Sequence, residues 1–468
     1  MICTAKARIT GRMVNRRRFL KSIAAAAASP VFATGCVTNR TQTSALRSDP
    51  GKVLDLPPGY SYRVISRAGD PMSDGFVVPG AHDGMASFAG EDGRIILVCN
   101  HEMNSGWLQG SPFGDRFGAL PEETRARLYD RGGDITPGLG GTTTSIYNPV
   151  SGEVEQQYLS LAGTEINCAG GATPWGSWLS CEECFESPGT GLSGLRMVTR
   201  DQRHGYVFEV PAKARGLVQA RPIKAMGRFE HEACAVHETT GIIYMTEDRH
   251  HSLFYRYLPD TPGKLIDGGR LQALALKGRG TVMTHNWSTK TRVPLNTALA
   301  TQWVDLDNVD PDKNDLRLRG AARGAATFAR GEGLCIAGDR FAFTCTNGGP
   351  ARAGQVFTYT PSPVEGTPQE LEEPGKLTLI AEARADSLLQ NGDNLAMAPW
   401  GDLIVCEDTA SHCGLVGIRP DGSQYPLADN PYSNSELAGV CFSPDGAILF
   451  VNIQYPGMTL AITGPWPT

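Results

Sequence analysis

Six times along the chain, two short apolar runs are joined by a turn, and this repeat constrains the fold more than any other feature. The paired runs are 85–88 with 95–99, 168–174 with 178–181, 233–236 with 242–246, 334–337 with 341–345, 395–398 with 403–406, and 440–442 with 448–451. Turns such as Pro399-Trp400-Gly401-Asp402 and Pro444-Asp445-Gly446 supply the chemistry that tight hairpins need. A third apolar run follows every pair, at 144–147, 206–210, 253–257, 356–359, 415–418 and 459–462. A fourth follows in five copies, at 154–161, 222–226, 271–276, 377–381 and 424–427. Four antiparallel strands repeated in this way predict an all-β, six-bladed β-propeller with four-stranded blades, spaced by roughly 45 to 100 residues because of insertions. The sixth copy has three runs, so an outside strand must cover its edge. The segment Tyr60-Ser61-Tyr62-Arg63-Val64-Ile65-Ser66 has strand character and is expected to close the ring. Two stacked β-sandwiches are the rival architecture. The 55 Gly and 31 Pro among 468 residues suit either turn-rich form.

The first 35 residues differ from the rest. They hold seven basic residues, no acidic ones, and an Ala-rich apolar stretch too short to span a bilayer. Arg16-Arg17-Arg18-Phe19-Leu20-Lys21 resembles a twin-arginine (Tat) export motif, which implies engagement of the Tat translocase and a periplasmic or secreted mature protein. Ala33-Thr34-Gly35-Cys36 resembles a weak lipobox, making Cys36 a candidate lipid anchor. The expected organisation is a signal over 1–35, a linker over 36–58 and a propeller over 59–468. No integral membrane segment is expected. Of the chain's −6 formal charge, the body beyond residue 35 contributes −13, which excludes a strongly basic nucleic-acid binder and favours cations as partners. The twelve cysteines permit disulfides in an oxidising compartment, yet Cys99, Cys181, Cys345 and Cys406 sit at equivalent strand ends and read as buried small side chains. Cys181 and Cys184 form a C-x-x-C with no second pair at zinc-finger spacing.

In a hairpin, the residues before the first strand and after the second share one end. The entry positions are His82-Asp83, Asn167-Cys168, Glu230-His231-Glu232, Arg330-Gly331-Glu332, Asp393-Asn394 and Glu436. The exit positions are Asn100-His101-Glu102, Glu182-Glu183, Glu247-Asp248, Thr346-Asn347, Glu407-Asp408 and Asn452. One carboxylate at a strand end is ordinary. Twelve polar positions ringing one channel mouth are not, because crowded carboxylates repel unless protons or metals are shared. Oxygen donors suit calcium, and a thiolate among carboxylates admits a transition metal such as iron. The insertions 101–141, 183–204 and 278–331 emerge at this end and are expected to wall a cleft.

These residues resemble the PhoX alkaline phosphatases of bacteria. The resemblance rests on the Tat-like signal, Asn100-His101-Glu102, and the block running from Asn167-Cys168-Ala169-Gly170-Gly171 to Ser180-Cys181-Glu182-Glu183. It rests also on Gly227-Arg228-Phe229-Glu230-His231-Glu232, Thr246-Glu247-Asp248 and Arg330-Gly331-Glu332-Gly333. The resemblance implies a six-bladed propeller that hydrolyses small phosphate monoesters with a ferric pair, Fe(3+), and several Ca(2+) ions. It implies Cys168 as thiolate ligand to iron, with Glu183, Glu232 and Glu332 completing that coordination. Glu102, Asp248, Asn347, Asp393, Asn394, Glu407 and Asp408 are the implied calcium ligands. Arg330 would face the phosphate, and Cys168 and Glu332 join it as implied catalytic residues. His101 and His231 are either supports for the ligands or ordinary structure. Metals and Arg330 would neutralise charge during in-line displacement, and no serine stands in a nucleophile setting. Two rival functions remain open. A calcium-dependent lactonase fits acidic ligands but not a thiolate among them, and a non-catalytic binding propeller would show exposed aromatics at the mouth instead of acids.

Overall fold

The computed structural model describes residues 46–114, 119–193, 196–288 and 292–467. The signal-like segment, Cys36 and the start of the expected linker lie outside the described residues. Among those described, no helix is long and apolar enough to cross a membrane.

Each apolar pair forms an antiparallel hairpin. The first blade orders His82–Ala89, Ile95–His101, Gly140–Asn148 and Glu153–Thr164 as one sheet. The fifth does the same with Gly392–Met397, Leu403–Glu407, Gly414–Ile418 and Gln424–Asp429. The sixth comprises Leu437–Phe442, Leu449–Ile453 and Met458–Thr463, and its fourth strand is Ser61–Arg67, paired antiparallel with Met458–Thr463. The N-terminal strand therefore closes the ring as the sequence suggests.

Three expectations are corrected. The second blade is three-stranded (Asn167–Ala172, Ser177–Glu182, Val207–Pro211), and the expected fourth run, 222–226, makes one bridge from Pro222 to Phe208 before a 3-10 turn at Lys224–Met226. A proline start and the turn that follows deny that run a ladder. The third blade (His231–Val236, Ile243–Glu247, Tyr255–Pro259, Gly269–Leu276) and the fourth (Gly331–Ala337, Arg340–Cys345, Gln355–Thr360, Lys376–Glu382) are not separate sheets. An extra strand, Leu299–Asp305, pairs with both outer strands and makes one nine-stranded sheet. That strand belongs to the 278–331 insertion, so part of the insertion staples the outer rim instead of walling the mouth. Finally, residues 46–58 are packed rather than linker-like. Leu54 and Leu56 are buried against Leu427 and Ala428, and Asp55 exchanges backbone bonds of 2.9 and 3.0 Å with Asp429.

Apolar side chains between neighbouring blades hold the ring. Phe254 stacks on Phe343 at 4.5 Å and Phe343 on Phe357 at 5.4 Å, all essentially buried. Each such burial stabilises the fold by about 1.5–3 kcal/mol. The six inner strands pack in a cycle around a channel of about 200 Å³ lined by small residues such as Gly84, Ala169, Ala233 and Gly333. The fit is tight. A Cβ on Gly84 would sit 2.5 Å from the Ala169 Cα, and one on Gly333 2.6 Å from the Asn394 Cα.

Removing residues 61–67 should leave Met458–Thr463 as an open edge. We expect the shortened chain to elute as larger species than the full chain in size-exclusion chromatography and to lose its cooperative melt; an unchanged elution volume and melting midpoint would show that ring closure does not depend on this strand.

Candidate metal centre

All six inner strands break register at the same place. The shifts fall between His82 and Met85, Asn167 and Gly170, His231 and Cys234, Gly331 and Leu334, Gly392 and Leu395, and Ala438 and Cys441. A β-bulge re-aims the side chains it carries. In five blades the first bulged residue is an acid or a thiol: Asp83, Cys168, Glu232, Glu332 and Asp393. In the sixth it is Gly439, in the left-handed region at φ 61°, and the acid comes from upstream at Glu436. Just before four of these strands, Ala81, Ile166, Arg330 and Asn391 also take positive φ between 46° and 58°. Those strained entries meet the exit residues, with backbone bonds from Glu102 to Ala81, Glu183 to Ile166 and Asp408 to Asn391 of 2.8–3.0 Å.

The result is a nearly continuous arc of donors. Glu102, Cys168 and Glu183 place ligand atoms within 4.8 Å of one another; so do Glu232, Glu332 and Asp393; so do Asp393, Asp408 and Glu436; and so do Asp83, Glu102 and Glu436. Cys168 Sγ lies 3.3 Å from Glu232 Oε1, joining the first group to the second. All are buried except Glu183, which is half-buried. The Gln454 amide spans Asp83 and Glu102 at 2.8 and 2.7 Å. Asp83, Glu436 and Gln454 are additions to the residues implied from sequence. Asp83 and Glu436 were visible as entry positions, whereas Gln454 lies two residues beyond the exit position recognised in its blade.

Arg330 is 11% exposed at the side chain and sits at the edge of this arc. Its Nε and Nη2 donate to the two Asp248 oxygens at 2.6 Å each, and Nη2 reaches Glu332 Oε1 at 2.8 Å. Such a fork holds the guanidinium rigidly. Asp248 therefore serves Arg330 and lies outside the four donor groups.

A model of the alkaline phosphatase PhoX family matches residues 41–112 and 139–457. The chain belongs to the PhoX alkaline phosphatase family. It is accordingly a phosphoric monoester hydrolase. Its fold is similar to that of Pseudomonas fluorescens PhoX solved with vanadate, a transition state analogue, at 18% identity and TM-score 0.62, covering 88% of this chain and 96% of that one. More distant are a Xanthomonas campestris gluconolactonase (12% identity, TM-score 0.39, covering 86% and 98%) and a Staphylococcus aureus virginiamycin B lyase (11%, 0.37, 86% and 99%). No curated protein matches the sequence.

Other residues implied as PhoX-type ligands also make bonds within the protein. Glu407 accepts the Gln390 and Gly414 amides at 2.9 and 3.2 Å, tying down its own blade. Asn394 accepts the Gly439 amide at 2.8 Å and donates to Asp393 at 2.9 Å, bracing two blades. Asn347 donates to His250 at 3.4 Å. Both undecided histidines are braces. His101 bonds the Gly80 carbonyl and the Thr143 hydroxyl at 2.9 Å each, and burial lowers it to about 4. His231 bonds the Gly227 carbonyl at 3.0 Å, stacks on Phe229 at 3.6 Å, and is lowered by burial to about 3. No disulfide joins any of the ten described cysteines: Cys181 Sγ lies 3.9 Å from Cys234 Sγ, and Cys184 Sγ donates to the Glu165 carbonyl at 3.7 Å.

The donor chemistry fits bound cations. Eight carboxylates and one thiol are crowded at one mouth, and the cation at their edge, Arg330, is already shared by Asp248 and Glu332. Burying that much like charge is costly unless cations neutralise it. The oxygen donors match hard ions, and Cys168 adds one soft donor.

One buried ionic clamp positions this mouth. His204 lies between Glu182 Oε1 (2.6 Å) and Asp130 Oδ2 (3.0 Å), so both ring nitrogens donate. Glu182 also accepts the Glu165, Gly205 and Tyr206 amides, and Asp130 the Gly132, Asp201 and Gln202 amides. The clamp fixes the strand end before Glu183 to the 101–141 insertion. Burial opposes charge on His204, but Glu182 and Asp130 outweigh it and raise the group to about 10. A raised pKa contributes stability that is complete below the ordinary value of about 6.5 and is lost as pH climbs through about 10. His204→Gln is expected to cost about 3–5 kcal/mol at pH 7 and to flatten the fall in unfolding free energy over that window. Urea titrations across pH would test both; a variant with wild-type slope would remove the clamp from the account.

Proposed function

We propose that this chain is a Tat-exported, periplasmic or secreted phosphomonoesterase that works with a ferric pair and calcium ions at the propeller mouth. Cys168, Glu183, Glu232 and Glu332 are the residues we assign to iron. Glu102, Asp83, Asp393, Asp408 and Glu436 are assigned to calcium. The observation that carries this reading is the thiol of Cys168 standing 3.3 Å from a carboxylate oxygen inside an acidic ring, since a calcium-only site gains nothing from sulfur. When bound, such ions supply charge neutralisation at the phosphoryl oxygens and polarise a water.

The chain's own residues do the rest. Asp248 and Glu332 hold the Arg330 guanidinium at the rim, where its charge supports the equatorial oxygens of a phosphoryl group under in-line attack. Gln454 keeps Asp83 and Glu102 apart at a fixed spacing. The bulges aim the donors inward before any ligand arrives, so little reorganisation accompanies binding. Export by the Tat route suits this design, because a folded protein can acquire iron before it crosses the membrane. Cys36 is the proposed lipid attachment point.

Protein purified after export should contain iron and calcium and hydrolyse p-nitrophenyl phosphate. Cys168→Ala should lose iron, measured by elemental analysis, and at least about a hundredfold in kcat. Unchanged iron content in that variant, or no hydrolysis by fully metallated wild type, would overturn the assignment.

A further inference from the structure

Beside Arg330, between the third and fourth blades, stands a wall that the acidic ring does not use. Thr346 donates its hydroxyl to Glu332 Oε1 at 2.7 Å, which ties the wall to the ring. The next residue, Asn347, is held by the Trp287 indole, whose N–H donates to the Asn347 carbonyl at 2.7 Å. The Arg352 guanidinium lies over the Trp287 ring at 4.6 Å. His285 packs against Trp287 at 4.3 Å between ring centres, and its backbone-bonded side faces Phe328. Each of these contacts links the exposed Arg352 back to the ring through packed or hydrogen-bonded neighbours.

Two features of the wall point to a ligand. His285 is 2% exposed, yet its Nε2 has no hydrogen-bond partner among the described residues, and neither does the buried Oδ1 of Asn347. Buried acceptors of this kind are costly unless a donor arrives. The second feature is Arg352, whose guanidinium has no carboxylate partner among the described residues although it is stacked and so partly immobilised. A guanidinium held by an aromatic face but lacking an anion is pre-organised for one.

We propose that Arg352, Trp287, His285 and Asn347 form a subsite for the alcohol portion of the ester, selective for phosphomonoesters that carry a second oxyanion and a hydroxyl close to the phosphate. This rests on the reading that the phosphate binds at the acidic ring beside Arg330. The second oxyanion takes the Arg352 fork, and the hydroxyl donates its single proton to one of the two acceptors, Asn347 Oδ1 or His285 Nε2. Trp287 sets the position of both by bonding Asn347 on one side and carrying Arg352 on the other.

The test uses two substrates on one three-carbon skeleton, 3-phosphoglycerate with a carboxylate and glycerol 3-phosphate without it. Metallated wild type should favour the first in kcat/KM, and Arg352→Gln should reduce that ratio roughly fivefold, mostly through KM, the size expected for an exposed ion pair. Arg352→Lys should keep part of the preference, and Trp287→Leu should lose it as the guanidinium is released. An unchanged ratio in Arg352→Gln, or wild type with no preference for the carboxylate, overturns the subsite. Absence of hydrolysis of p-nitrophenyl phosphate by wild type would instead reject the phosphatase reading of the ring. In that event calorimetry of the two compounds with wild type and Arg352→Gln decides the subsite by the same ratio of affinities.

Discussion

Repulsion among like charges is the constraint around which this molecule is organised. Carboxylates from all six blades and one thiol converge at the mouth of a narrow channel, with groups of three ligand atoms inside 4.8 Å. No chain would gather them spontaneously, so the ring must be held shut by something stronger. The apolar side chains between blades and the closing strand Ser61–Arg67 supply that force. The acids are thus carried by a scaffold that is stable for other reasons, which is how a site can be both strained and rigid.

In the second, third and fifth blades the exit residues divide the labour. Glu182, Glu247 and Glu407 point into their own blades and accept backbone amides: Glu182 from Gly205, Glu247 from Leu253, Glu407 from Gly414. Their successors Glu183, Asp248 and Asp408 face the other way, since side chains alternate along a strand. Glu183 and Asp408 reach the donor groups, while Asp248 holds Arg330. The first residue of each pair anchors the strand end that its neighbour needs. Glu247 is raised to about 7 by burial, an effect that Arg317 and the Tyr255 hydroxyl only partly offset, which fits a group kept for position and not for charge.

The sixth blade departs from the rule where the ring closes. Gly439 replaces the bulged acid because the Asp83 carbonyl lies 2.2 Å from where its Cβ would be. Glu436 enters from two residues before the strand's second position, and Gln454 bridges the gap with an amide. Closure therefore trades one side chain's room for two others placed further out.

The sequence by itself determined the all-β repeat, the closing strand and the small set of entry and exit positions, because hairpin periodicity and turn chemistry are local properties. Its resemblance to the PhoX family also named Cys168, Glu183, Glu232 and Glu332, which the fold brings together. Tertiary structure alone decided which member of each polar pair looks inward. The bulge in each inner strand and the alternation of side chains at each exit make that choice, and neither is visible in residue type: Glu407 and Asn394 bond within and between blades and Asp248 holds Arg330, while Asp83 and Glu436 stand among the donors and Gln454 bridges Asp83 and Glu102. Tertiary structure also decided that the third and fourth blades share a strand, since Leu299–Asp305 finds its partners only after both outer edges exist. Pattern along the chain fixes which elements form; the direction of a side chain at a bulge depends on what packs behind it, and that is settled between elements distant in sequence.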